Sequence, residues 1–75
     1  MNNKSKIVRP IRFAKLELNS RYKIFAEPSR GIAKSHDSRV YIKEAESYSV
    51  DAADPERAII LMPEDLVQPL TRGHK

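Results

Sequence analysis

No cysteine occurs in this 75-residue chain, so neither a disulfide framework nor a thiolate metal site can hold its fold. Packing must do so alone, and a domain this small buries only about 60% of the surface that its unfolded chain exposes. A thin margin of stability is expected. The lack of cysteine also allows a reducing cytoplasm without proving one. Charged residues make up 32% of the chain and aromatics 7%, but the apolar residues come in clusters, which favours a folded middle over full disorder. Residues 1–6 read as a flexible basic arm, 7–70 as a single small domain and 71–75 as a flexible tail. The polar start is followed by no apolar run long enough for a signal peptide or a membrane span, so a soluble cytoplasmic protein is expected.

The apolar clusters are short and punctuated by proline, which predicts an α+β domain, mainly β. It should have about four short antiparallel strands and one short helix near the C-terminus. From Ile7 to Leu18 an edge strand kinked at Pro10 explains the pattern best, with a short helix after Pro10 as the alternative. Asn19-Ser20 is a turn signal, and Arg21–Ala26 alternates with Tyr22, Ile24 and Ala26 on one side, which predicts a hairpin with Lys15–Leu18. Glu27–Ser38 reads as a long exposed loop, a class of segment that often carries function. Alternation over Arg39–Lys43 puts Val40 and Ile42 inward and Arg39, Tyr41 and Lys43 outward, and Tyr48 and Val50 fit a further short strand. Asp54-Pro-Glu-Arg57 fits either a helix start or a turn; the turn is favoured, feeding a buried strand Ala58–Met62. Pro63-Glu-Asp-Leu-Val67 reads as one helical turn, ended by Pro69. Ile24, Val40, Ile42, Ile60 and Leu61 are the expected core.

Little here suggests catalysis. His36 lies in the polar loop and His74 in the tail, where solvated histidines are the simpler reading, and the two are too far apart in sequence to suggest a metal site. Glu44 with Glu46, and Glu64 with Asp65, could pair for acid and base work, but solvent exposure and helix capping explain them better. Gly31 and Gly73 are the only glycines, so no glycine-rich phosphate loop exists. No cofactor, metal or catalytic residue is expected.

Charge is more informative. Eleven of the 14 Lys and Arg residues fall between Lys4 and Lys43 against Glu17, Glu27 and Asp37, a net +8, while the remaining residues carry −4. Such a division predicts an anionic partner for the first part. Cations and aromatics interleave at Arg9, Arg12, Lys15, Arg21, Tyr22, Lys23, Phe25, Arg39, Tyr41 and Lys43, a mixture that can hold phosphates and stack a base. The plain alternative is a solvated sheet face whose charges discourage edge aggregation.

In length, charge and the opening Met1-Asn-Asn-Lys-Ser-Lys-Ile-Val-Arg-Pro10, the chain resembles the small bacteriophage transcription regulators that bind host RNA polymerase. The resemblance implies a non-enzymatic protein, in a bacterial host cytoplasm, that docks on that large complex near nucleic acid and inhibits initiation or suppresses termination. The runner-up is a small β-rich module that binds single-stranded RNA or DNA. A monomer is expected, with no membrane contact. The contact residues expected are Lys4, Lys6, Arg9 and Arg12 in the N-terminal segment, with Arg39, Tyr41 and Lys43 on the strand.

Overall fold

The computed structural model describes residues 9–70. Its β-rich domain is a six-stranded antiparallel sheet built from β1 (Ile11–Arg12), β2 (Arg21–Ala26), β3 (Tyr41–Lys43), β4 (Tyr48–Asp51), β5 (Asp54–Ile60) and β6 (Leu66–Pro69). The spatial order is β1-β6-β2-β3-β4-β5. Strands β2 to β5 follow one another across the sheet, and β6 returns to lie between β1 and β2. Two 3-10 turns, Phe13–Lys15 and Pro28–Arg30, are the helical elements among the described residues. No helix there is long and apolar enough to cross a membrane.

Two more strands form than the four expected, and the C-terminal helix does not. After Pro63 the chain closes one tight turn, in which Asp65 N–H donates to the Met62 carbonyl at 3.1 Å. It then extends, because β6 gains a neighbour on each side whereas an isolated helix of a few residues has no such support. The expected hairpin partner of β2 is also different. Lys15–Leu18 leaves the sheet through the 3-10 turn and a bend at Asn19, whose φ of 69° is the left-handed geometry that Asn tolerates best after Gly. The N-terminal segment keeps both of its readings: the edge strand β1 comes first and the short helical turn follows it.

The core holds Phe13, Leu16, Tyr22, Ile24, Tyr41, Leu61 and Val67. Phe13 meets Tyr22 edge-on at 5.6 Å, and Tyr22 lies 5.9 Å from Tyr41, spacings at which aromatic pairs attract beyond their burial. Strand β2 alternates as expected, with Tyr22, Ile24 and Ala26 inward. Strand β3 has the opposite phase: Tyr41 and Lys43 are buried, and Ile42 is only partly covered. The cause is register, since Tyr41 stands directly opposite Tyr22 and partners across a ladder share a face. The expected buried strand Ala58–Met62 is corrected as well, because β5 is an edge strand. Its Ile60 is 59% exposed and Leu61, just beyond it, is the residue that reaches the core.

Of the four buried charged residues Glu27, Lys43, Asp51 and Asp65, Lys43 and Asp65 tie distant segments together. Lys43, 3% exposed, donates from Nζ to the Phe13 carbonyl at 2.8 Å and the Leu16 carbonyl at 2.7 Å, and lies 4.4 Å from the centroid of the Phe13 ring. Charge-assisted hydrogen bonds and the ring's negative face compensate the lost water. Asp65 ties the long loop to the β5–β6 turn: its carboxylate accepts from Ser29 N–H at 3.1 Å, from Ser29 Oγ at 2.7 Å and from Met62 N–H at 2.9 Å. Its carbonyl accepts from Phe13 N–H at 2.7 Å. The long loop is exposed over most of its length, as expected, yet it is anchored here and again where Ser35 N–H donates to the Phe25 carbonyl at 2.8 Å and Tyr41 donates to Asp37 Oδ2 at 2.6 Å.

Lys43→Met keeps a similar volume but takes from the buried Leu16 carbonyl its ammonium donor and leaves the Phe13 carbonyl only the Leu16 N–H, at a cost of about 1–3 kcal/mol. Urea denaturation should show a loss in that range or larger. A midpoint unchanged from the parent protein would remove Lys43 from the framework.

Candidate docking face

The residues proposed from sequence as a contact set divide into three groups. Lys4 and Lys6 lie outside the described residues. Arg9 and Arg12 are exposed, Arg12 within the edge strand β1. Arg39, Tyr41 and Lys43 do not form the outward triplet predicted by alternation. Tyr41 is 2% exposed and Lys43 is buried as described, both brought inward by the Tyr22–Tyr41 register. Arg39 is exposed, but its Nε lies 3.6 Å from Asp51 Oδ2 and its N–H donates to Asp37 Oδ1 at 2.8 Å.

The phenols of the core belong to the structure too. Tyr41 donates to Asp37 Oδ2 at 2.6 Å and Tyr22 donates to Ser49 Oγ at 2.6 Å. Burial pushes the Tyr22 phenol up to about 12, against the lowering effect of its bond to Ser49. Burial pushes Tyr41 up to about 12 as well, reinforced by the Asp37 carboxylate that its hydroxyl faces. For Lys43 burial acts in the opposite sense and lowers the pKa, with the charge of Glu46 partly opposing it. Neither tyrosine is available to stack on a base.

The fold thus sorts the cations by use. Arg30 pairs with Glu27 at 3.2 Å, Arg39 with Asp51, and Lys43 serves the core. Arg12, Arg21 and Lys23 have no ion pair among the described residues, and they share the outer side of β1, β6 and β2. The pairings set this arrangement: Arg12 is opposite Leu66, Lys23 is opposite Gln68, and Leu70 N–H donates to the Arg21 carbonyl at 3.0 Å. No carboxylate occurs in any of these three strands. Phe25 and Leu70 are exposed beside the cations. The face therefore offers unneutralised positive charge with apolar surface between, a combination suited to holding an acidic macromolecular surface.

Chemistry of other kinds has less to build on. Among the described residues no group of three or more His, Asp or Glu side chains could hold a metal ion. His36 is exposed in the loop. Arg21 and Lys23 were legible as cations in the sequence, but their grouping with Arg12 depends on β6 lying between β1 and β2, for which no local signal exists. Comparisons with protein-family models, with curated proteins and with solved structures return no match to this chain.

The buried phenols predict how the fold responds to alkali. Below about pH 10 folded and unfolded chains both hold these protons, and the associated stability is fully present. Between pH 10 and about 12 the unfolded chain releases protons that the folded one retains, so stability falls. Lys43 contributes with the opposite sign, because its lowered pKa makes stability rise with pH up to its unfolded value of 10.5. In a Tyr48→Phe background, tyrosinate absorbance should therefore rise together with loss of the β-sheet circular dichroism signal. Ionisation near pH 10 with the sheet intact would contradict the burial of Tyr22 and Tyr41.

Proposed function

We propose that this protein is a non-enzymatic regulator that docks on a large protein assembly, bacterial RNA polymerase, in the cytoplasm, to inhibit initiation or suppress termination of transcription. The observation that carries this reading is the face of β1, β6 and β2, three strands without a carboxylate, where Arg12, Arg21 and Lys23 form no ion pair among the described residues and stand beside Phe25 and Leu70. Charge of one sign on such a face steers association and rejects like-charged partners. Apolar area between the charges favours a protein surface over a bare phosphate chain. The choice of polymerase rests on the resemblance drawn from the sequence.

Direct nucleic-acid binding loses support from the burial of Tyr41 and Lys43, since the stacking and phosphate-holding set proposed for β3 relied on both being outward. What remains to it is the same three cations with Phe25, and salt separates the two readings. Binding to phosphates alone falls linearly on a log–log plot with salt, whereas a mixed protein interface retains an apolar component.

The experiment uses purified, nuclease-treated bacterial RNA polymerase and the labelled full chain in a fluorescence anisotropy titration. Binding is expected, and Arg12→Glu, Arg21→Glu and Lys23→Glu together should weaken it by about tenfold or more while the circular dichroism spectrum is unchanged. Promoter run-off or terminator read-through should lose its response in parallel. No binding to polymerase, or binding only when nucleic acid is added, would overturn the proposal.

A further inference from the structure

The opposite end of the sheet carries a second and chemically different surface. One row across the ladder sets Ile42 opposite Val50 and Val50 opposite Ala58; the next sets Tyr48 opposite Ile60. Their sequence neighbours Tyr41, Lys43 and Ser49 are buried on the core side, so alternation puts this set on the outer side. Val50 is buried yet stands outside the core cluster, forming the floor of the patch. Tyr48 is 41% exposed, Ile60 59% and Met62, which follows β5, 43%. A contiguous apolar patch on so small and charged a protein marks an interaction site more often than an accident of packing.

The rim identifies the occupant. Glu44 and Glu46 lie in the connection between β3 and β4, next to Tyr48, and Glu56 lies in β5; all three are exposed and form no ion pair among the described residues. Glu46 acts from a distance on the buried Lys43, and Arg57 is the cation of β5. An apolar floor with an acidic border repels nucleic acid and complements a segment that is apolar on one side and basic on the other. We infer that Tyr48, Ile60 and Met62 seat the apolar side of a basic amphipathic helix of a protein partner, with Glu44, Glu46 and Glu56 receiving its lysines or arginines. The inference rests on the docking reading only in taking the partner to be a protein: Arg21 of the cationic face meets the patch at its margin, opposite Ile42, while Tyr48, Val50 and Ile60 lie on β4 and β5 beyond it.

The probe is a fluorescein-labelled amphipathic model helix of leucine and lysine, with a leucine and glutamate helix as its counterpart, each titrated with the full chain by anisotropy. The lysine helix should bind, and the glutamate helix should bind about tenfold or more weakly, despite the protein's net charge of +4. Tyr48→Thr with Ile60→Thr, which place a residue of good strand propensity at each exposed strand position, should weaken the lysine helix by about tenfold. Glu44→Lys with Glu46→Lys should do the same. Arg12→Gln and Lys23→Gln together, on strands β1 and β2 and away from the Ile42 row, should leave it within about twofold of the parent. Equal affinity for the two helices, no binding of the lysine helix, or indifference to the threonine pair would overturn the inference. Loss of polymerase binding with helix binding intact would refute the polymerase reading alone.

Discussion

The pairing of Tyr22 with Tyr41 decides the rest of the sheet. Side chains alternate with a period of two, so one inward pair sets the phase of everything laddered to it. With Tyr41 inward, Lys43 follows it inward, and the partners of Tyr41 and Lys43 on β4, Asp51 and Ser49, face the same side. Ile42, Val50 and Ala58 are then committed to the outer side as one row. Shifting β3 by a single residue would bury Ile42 and expose a tyrosine, a lysine and the hydrogen bond to Asp37. Two tyrosines and Phe13 supply more buried area than the isoleucine alternative, and aromatic area is scarce in this chain.

That phase has a polar cost which the fold meets with specific contacts. An ammonium group carried into the core is unfavourable unless every donor finds an acceptor. The 3-10 turn of Phe13–Lys15 provides the Phe13 carbonyl and ring face, and Leu16 just after it a second carbonyl, so Lys43 and the turn stabilise one another. Asp65 acts similarly for the loop and the β5–β6 turn. These are cross-links between segments far apart in sequence, and in a chain without cysteine they supplement a small core as disulfides do in small secreted domains.

Features governed by near neighbours in sequence were legible without coordinates. The alternation of β2, the edge strand at Pro10 with its short helical turn, the Asn19 turn and the burial of Ile24 and Leu61 all follow from local rules. What was not legible depends on partners remote in the chain. Alternation over residues 39–43 fits either phase, and hydrophobicity alone favours the wrong one, since it ranks Val40 and Ile42 above a tyrosine and a lysine. Nothing near Leu66 announces that it pairs on both sides, which cost the prediction a strand and misplaced the partner of β2. The cations of the candidate face could all be named, but separating Arg12, Arg21 and Lys23 from Arg30, Arg39 and Lys43 requires knowing where the carboxylates lie.

The division of charge along the chain becomes a division in space because of the strand order. Strands β1, β6 and β2 stand at one end of the sheet without a carboxylate, and β4 and β5, with the connection that precedes them, stand at the other. Much of the acidic charge is already committed: Asp51 to Arg39 and the Ala53 N–H, Asp54 to the Glu56 N–H, and Asp65 to the loop. Glu44, Glu46 and Glu56, which border the apolar patch, are among the carboxylates left over. Surface ion pairs contribute only about 0–1 kcal/mol each, so a strand order that mixed the charges would gain little stability. Keeping them apart gives the molecule a dipole that orients it before contact, and places an apolar surface behind each charge to hold it afterwards. A partner that presents an acidic surface and a basic amphipathic segment side by side would engage both ends in a single orientation, a geometric demand that a uniformly basic protein could not impose.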